Sequence, residues 1–270
     1  MRRGLTMAGA LSGALASMLT LGGCGSGGDT GAKPKPGPSA PVSAAAPSPS
    51  ASTAPGALPT AYTFTPDPDR VPHTPDQAQR LTRAAALDPD SWSAGMAAHD
   101  PYESAGDWPV LSADCVWSRA GLPDGVLDSY TRKIDVPAKE GKGRLLGSVT
   151  LTVHRDAAAA DRDMQETVQQ SFRCPDQDLG GGQFLLGLLS MHQPKESVLN
   201  ADASMFESGK FTSPESGGPQ GYVWTKSRIG PVVMALSVKG AHGYETRDLL
   251  KVAAEGAAKA LYRVELELKN

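Results

Sequence analysis

What the sequence has little of narrows it first. Three cysteines, Cys24, Cys115 and Cys174, occur in 270 residues, too few for a small disulfide scaffold. Aromatic residues make up 6% and the formal net charge is −3. There is no basic stripe and no interleaving of basic with aromatic side chains, so the chain lacks the footprint of a nucleic-acid binder. Beyond the first two dozen residues the longest apolar runs are Phe184–Met191 and Val232–Val238, both short of the ~20 residues that span a bilayer. Catalytic signatures are missing too: no Gly-x-Ser-x-Gly elbow and no His-Glu-x-x-His pair. Gly180-Gly181-Gly182 lacks the Lys and Ser/Thr of a phosphate loop and reads as a turn.

What is present begins at the N-terminus. Met1-Arg2-Arg3 is a positive head, residues 4–20 (GLTMAGALSGALASMLT) are uncharged, and Leu21-Gly22-Gly23 places small residues before Cys24. That is the layout of a secretory signal, residues 1–23. Leu-Gly-Gly-Cys also resembles the bacterial lipobox. The resemblance implies a diacylglyceryl group on the Cys24 sulfur and cleavage that makes Cys24 the mature N-terminus, with palmitate-type acyl chains. A secreted protein with an unrelated cysteine and a retained membrane helix are the rival readings. The run is Gly-rich and barely long enough to span, and Gly4-Leu5 breaks a twin-arginine pattern after Arg2-Arg3. The expectation is a lipoprotein held on the extracytoplasmic face of the cell membrane, its acyl chains inserted in membrane lipid.

Residues 24–60 continue as a Pro/Ala/Ser-rich linker, as in KPKPGPSAPVSAAAPSPSASTAPGALPT, with no aromatic residue. Such a segment buries too little to offset its ordering entropy and is expected to be a disordered tether. As a flexible coil it would span on the order of 30 Å, and extended about 110 Å. Lys33 and Lys35 read as solvated linker charges. Residues 61–270 then form one domain, its core-building part starting near Thr74, about 195 residues and long enough for a proper core.

Within that domain Pro75–Leu87 reads as a helix with Ala78, Leu81 and Ala85 on one face. Residues 88–113 read as loop, with Trp92 and Trp108 as local anchors. Cys115–Arg119 and Ser129–Val136 suit strands around the turn signal Leu122-Pro123-Asp124-Gly125. Ser148–His154 alternates, with Val149, Leu151 and Val153 opposite Thr150, Thr152 and His154. Asp156 is placed to cap a helix over Ala157–Arg173 whose stripe is Ala160, Met164, Val168 and Phe172. Tyr222–Ser227 and Val232–Lys239 make a hairpin around Ile229-Gly230-Pro231. A terminal helix, Thr246–Val264, carries Leu249, Ala253, Gly256, Ala257, Ala260, Leu261 and Val264 on one stripe, and its small residues predict close packing on a sheet. Hairpin-linked strands with a few helices give an α+β fold with a mostly antiparallel sheet.

If lipid occupies Cys24, an even pair remains in an oxidising exterior, and a Cys115–Cys174 disulfide is the expectation. It would staple a helix end to a sheet edge, worth about 4 kcal/mol by the chain-entropy account. Two free thiols or a metal site are the alternatives, and lone cysteines without matched spacing disfavour a metal. No metal or other cofactor is therefore expected.

The five histidines, His73, His99, His154, His192 and His242, are scattered. His154 could line a cleft but reads as solvent-exposed or locally bonded, and Asp161/Asp163 and Asp88/Asp90 as solvated charges. Glu265 and Glu267 read as a polar face near the terminus. Trp117 and Trp224 could floor a ligand cleft or pack in the core. No catalytic set is assembled from these residues, and none is assigned to a ligand.

The run from a helix through ADCVWSR and GSVTLTVHRDAAAADRDMQETVQQSFRC to the hairpin GYVWTKSRIGPVVMALSVKG and an Ala-rich terminal helix resembles the PknH-like extracellular sensor domains of actinobacteria. The resemblance covers most of residues 75–265. It implies a sandwich-like domain with a cleft over an antiparallel sheet and a role in sensing or ligand binding. Kinase-linked members typically carry two disulfides, whereas this domain has cysteines for one. The expected function is a non-catalytic, membrane-tethered sensor or ligand-binding domain of the cell envelope, acting on an envelope ligand or partner protein. The alternatives are an envelope hydrolase with an unrecognised site and a passive wall-associated interaction protein.

Overall fold

The structure is a computed structural model that describes residues 63–193 and 201–269. Cys24, the signal segment and the linker lie outside the described residues. Among the described residues, four α-helices and ten strands follow in chain order. They are α1 (Pro75–Ala85), α2 (Pro89–Trp92), β1 (Ala97–Ala105), β2 (Asp107–Leu111), β3 (Trp117–Gly121), β4 (Val126–Val136) and β5 (Leu145–His154). After these come α3 (Ala157–Arg173), β6 (Gln177–Gly180), β7 (Gln183–Gln193), β8 (Ala203–Thr212), β9 (Gln220–Ile229), β10 (Val232–Lys239) and α4 (Thr246–Leu268). Eight strands form one antiparallel sheet in the order β1-β4-β5-β10-β9-β8-β7-β6, and β2 and β3 form a separate hairpin. This is the expected α+β architecture with an antiparallel sheet.

Local chemistry explains where the helices start. Thr74 accepts from the Gln77 backbone while the Gln77 side chain reaches back, a capping box with Pro75 in the first turn of α1. Asp156 accepts from the Ala159 N–H at 2.7 Å and starts α3 as expected. In α4 the Glu255–Lys259 pair closes at 2.7 Å on the outer face.

One face of the sheet makes the main core. Val149, Leu151 and Val153 of β5 and Met234, Leu236 and Val238 of β10 pack against Ala78 and Leu81 of α1 and Leu249, Ala260 and Val264 of α4. Trp92 lies at the centre of this layer and is 0% exposed. Its indole N–H donates to the Val252 carbonyl at 3.0 Å, and Lys259 donates to the Trp92 carbonyl at 2.8 Å. The opposite face of the sheet is partly covered by α3, whose Ala160 and Met164 pack on Met205 and Val233.

Several elements depart from the sequence-based expectation. Residues 88–113 are not loop: they hold α2, β1 and β2. Asp100-Pro101 interrupts the polar/apolar signal of β1, an edge strand whose register shifts between Ala98 and Glu103. An edge is where a sheet tolerates proline. Cys115 precedes β3 in a turn at φ 62° rather than opening it, and β3 pairs with β2 rather than with β4. Phe172 is 80% exposed: the fourfold spacing drifts around α3, and the buried face continues through Ser171 and Cys174 instead. The terminal helix runs on to Leu268, which is buried.

Candidate functional site

The face of the sheet that looks away from α1 and α4 carries the candidate site. Register places its side chains in rows that cross the strands. Thr131, Thr150, Ala235 and Lys226 form one row over β4, β5, β10 and β9. Lys133, Ser148, Ser237 and Trp224 form the next, extended by Glu207 on β8. Lys239 and Tyr222 lie in the row beyond. The strands alternate, so the apolar residues between these positions face the core while the hydroxyls and lysines face outward. A cleft of about 580 Å³ lies over these rows, walled by α3 and by the β2–β3 hairpin with Trp108 and Trp117.

Cys115 and Cys174 are disulfide-bonded, with Cα atoms 5.4 Å apart. Cys174 caps the C-terminus of α3 and is fully buried. The link therefore ties the end of α3 to the start of the hairpin, where Cys115 and Val116 pair with Asp178 of β6, the edge strand of the main sheet. Trp117 reinforces it by donating to Gln177 at 2.7 Å, and the Asp178 N–H donates to the Cys115 carbonyl at 2.9 Å.

The cleft floor holds hydroxyl pairs in cross-strand contact. Thr131 and Thr150 are 2.7 Å apart, and Ser148 and Ser237 are 2.8 Å apart. Each hydroxyl has one proton, so a pair bonded to itself retains one spare donor.

Under α3 lies a buried ionic cluster. Lys226 Nζ is 2.7 Å from Asp163 Oδ1 and 2.7 Å from the Thr167 hydroxyl. His154 Nε2 lies 3.3 Å from Asp163 Oδ2 without the alignment of a hydrogen bond. Burial alone would push the Asp163 carboxyl up, but His154 and Lys226 outweigh it and hold it below the usual carboxylate range. Thus Asp163 is no solvated charge, and His154, 3% exposed with Trp108 edge-on at 6.2 Å, is no surface histidine. Both lie far apart in the chain from Lys226, so only folding could show the cluster. The Thr167 hydroxyl is bonded to the Asp163 carbonyl and to Lys226. The Thr167 hydroxyl, engaged on both sides, is therefore not a free nucleophile beside the His–Asp pair.

The other end of the cleft is differently charged. Burial raises the pKa of Glu207, which accepts from the Ser190 hydroxyl at 2.6 Å. Burial, with Glu207 adding to it, pushes the Tyr222 phenol far above its ordinary value. Burial and then the nearby Lys133 charge lower Lys239 to about 8. Lys239 donates to Gln183 Oε1 at 3.2 Å and lies over the Phe211 ring.

Of the aromatic candidates, Trp117 and Trp224 both line the cleft, and Trp108 joins them. Gly180, Gly181 and Gly182 all have positive φ and turn the chain from β6 into β7. Among the described residues, no group of three His, Cys, Asp or Glu side chains is arranged to hold a metal ion, and no helix is long and apolar enough to cross a membrane.

No protein-family model matches the chain, and no curated protein matches it. A solved structure resembles it: the extracellular domain of PknH from Mycobacterium tuberculosis. The identity is 11% and the TM-score 0.47, over 72% of this chain and 100% of that one. At those values the likeness assigns neither a family nor a function.

Proposed function

We propose that this chain is an extracytoplasmic lipoprotein anchored through Cys24, with residues 24–60 as tether and residues 61–270 as a non-catalytic domain that binds a small envelope ligand. The observation that carries the binding part is the cleft of about 580 Å³, floored by hydroxyls and lysines and flanked by tryptophans. Concave sites with a few convergent polar groups among apolar walls are where small ligands bind. The anchor and the tether rest on the N-terminal sequence pattern alone. A hydrolase reading draws on the buried His154–Asp163 contact, but Lys226 engages that carboxylate and also donates to the Thr167 hydroxyl, bonds that clamp α3 to the sheet.

The test uses Ala235, whose small side chain lies mid-floor between Thr150 and Lys226. A chain of residues 61–270 retains the whole core of the described residues. Incubated with small-molecule extract of the cell envelope, it is expected to retain a ligand visible by native mass spectrometry. Ala235→Phe should fill the cleft and lose that ligand while keeping its circular dichroism. Equal retention by both proteins, or none by wild type, overturns the reading.

A further inference from the structure

We infer that the Lys133–Ser148–Ser237–Lys239 corner of the cleft is an oxyanion subsite, built to take a phosphate or carboxylate group of the bound ligand. The inference rests on the reading of the cleft as a binding site and names the chemistry that site selects.

The corner has more donors than acceptors. Lys133 has three N–H donors and no hydrogen bond or ion pair among the described residues. Register sets it directly opposite Ser148, and Ser148 opposite Ser237, whose hydroxyls bond each other at 2.8 Å. One proton of that pair stays free to donate, so a hydroxyl donor stands beside the ammonium. Lys239 follows Ser237 by two residues on the same strand face and spends one donor on Gln183 at 3.2 Å. Two ammoniums and a hydroxyl thus line one corner of the cleft, the combination that oxyanions satisfy with charge-assisted bonds.

The acidic groups that line or border the cleft are engaged elsewhere: on α3, Asp163 accepts from Lys226 and Glu166 from Gln170. Asp135, next to Lys133 on the same strand face, is engaged by His99 Nδ1 at 2.7 Å and by Arg144 at 3.8 Å. Glu207 lies beyond Trp224, two strands from Ser237, and accepts from Ser190. Asp107 on the hairpin lies 3.9 Å from Arg119. The charge that most perturbs Lys239 is accordingly another cation, Lys133. Two unmatched cations facing one cleft are unfavourable when empty and are relieved by an anion, which is what a binding corner requires.

The test reads inorganic phosphate and acetate against chloride at matched ionic strength, using residues 61–270. Phosphate or acetate should raise the melting temperature of wild type, and should shift the Lys239 ammonium titration upward from about 8. A response to phosphate alone selects a phosphate ligand, and a response to acetate alone selects a carboxylate. Lys133→Met/Lys239→Met should lose the response at least tenfold in apparent affinity while keeping the circular dichroism of wild type. A wild type that responds to neither anion overturns the subsite. So does a phosphate response that survives in the double variant. If the envelope-extract ligand is lost in Ala235→Phe yet held equally by the lysine variant, the cleft reading stands and the subsite falls.

Discussion

The indole of Trp92 lies against the backbone of Gly256, close enough that a Cβ at position 256 would sit 2.5 Å from Nε1. The same ring presses on Gly147, where a Cβ would lie 3.0 Å from the ring edge. Trp92, from a four-residue helix, thereby locks α4 against β5.

Gly256→Ala is therefore expected to destabilise the protein. An interior helix glycine replaced by alanine ordinarily gains roughly 1 kcal/mol. Overpacking against Trp92 and Leu236 should outweigh this, for a net loss of about 1–3 kcal/mol in urea unfolding. A gain in stability would show that the ring moves aside freely.

Asp163 holds Lys226 in a largely dry site. Asp163→Asn should cost about 3–5 kcal/mol, because it strands a buried ammonium. Adding Lys226→Met should recover much of that loss. The folded Asp163 carboxyl titrates below its ordinary value of 3.8, so its contribution is complete above that pH and disappears as pH falls through the lower folded value. Wild type should lose stability in that acid window, and Asp163→Asn should lose less. Equal acid sensitivity of the two proteins contradicts the coupling.

The opposite sign holds at Lys239, whose charged form the fold penalises. Between about 8 and the ordinary 10.5, the unfolded chain keeps a proton that the folded chain has released, so stability rises with pH there. Lys239→Met should raise the melting temperature at pH 7, and the advantage should shrink as pH climbs past 8. A constant advantage across that range would separate the effect from titration.

Reducing the Cys115–Cys174 bond, or replacing both residues by serine, should lower stability by about 2–4 kcal/mol in denaturant. The hairpin should lose hydrogen-exchange protection before the eight-stranded sheet does, because the bond joins it to α3. Protection unchanged in β2 and β3 would mean their pairing holds without the link.

Mass spectrometry of the protein from its native cell should find Cys24 as the N-terminal residue, carrying diacyl or triacyl mass. Cys24→Ser should release the protein from the membrane fraction. An unmodified N-terminus defeats the anchor.

The elements legible in the sequence are those with a strong local signal. Asp156 and Thr74 mark helix starts, and β5 and β10 each carry an apolar row at every second residue, Val149 to Val153 and Val232 to Val238. The hairpin β9–β10 turns at Gly230, whose φ is 54°. The terminal helix showed its stripe, including the small residues that admit Trp92. Strands β6, β7 and β8 carried no such signal: Phe184, Leu186, Leu189 and Met191 of β7 are exposed, and Gly187, at positive φ, sits where the register with β8 shifts. The cleft was the least legible. Thr150 read as the polar side of its strand, Asp163 read as a solvated charge, and nothing in the chain order brought Thr131, Ser148 or Ser237 to them.

What the chain shows without its fold is local order: where α1, α3 and α4 run, which residues cap α1 and α3, which face of β5 and β10 carries the apolar row, and the pattern that expects an anchor at Cys24. Those are properties of neighbours along the chain, set by backbone hydrogen bonds and periodicity. Only the tertiary structure decided that Lys133, Ser148, Ser237 and Lys239 share one corner and that His154, Asp163 and Lys226 meet under α3. Antiparallel pairing across β4, β5, β10 and β9 brings together residues dozens of positions apart, and burial then resets the charges they carry.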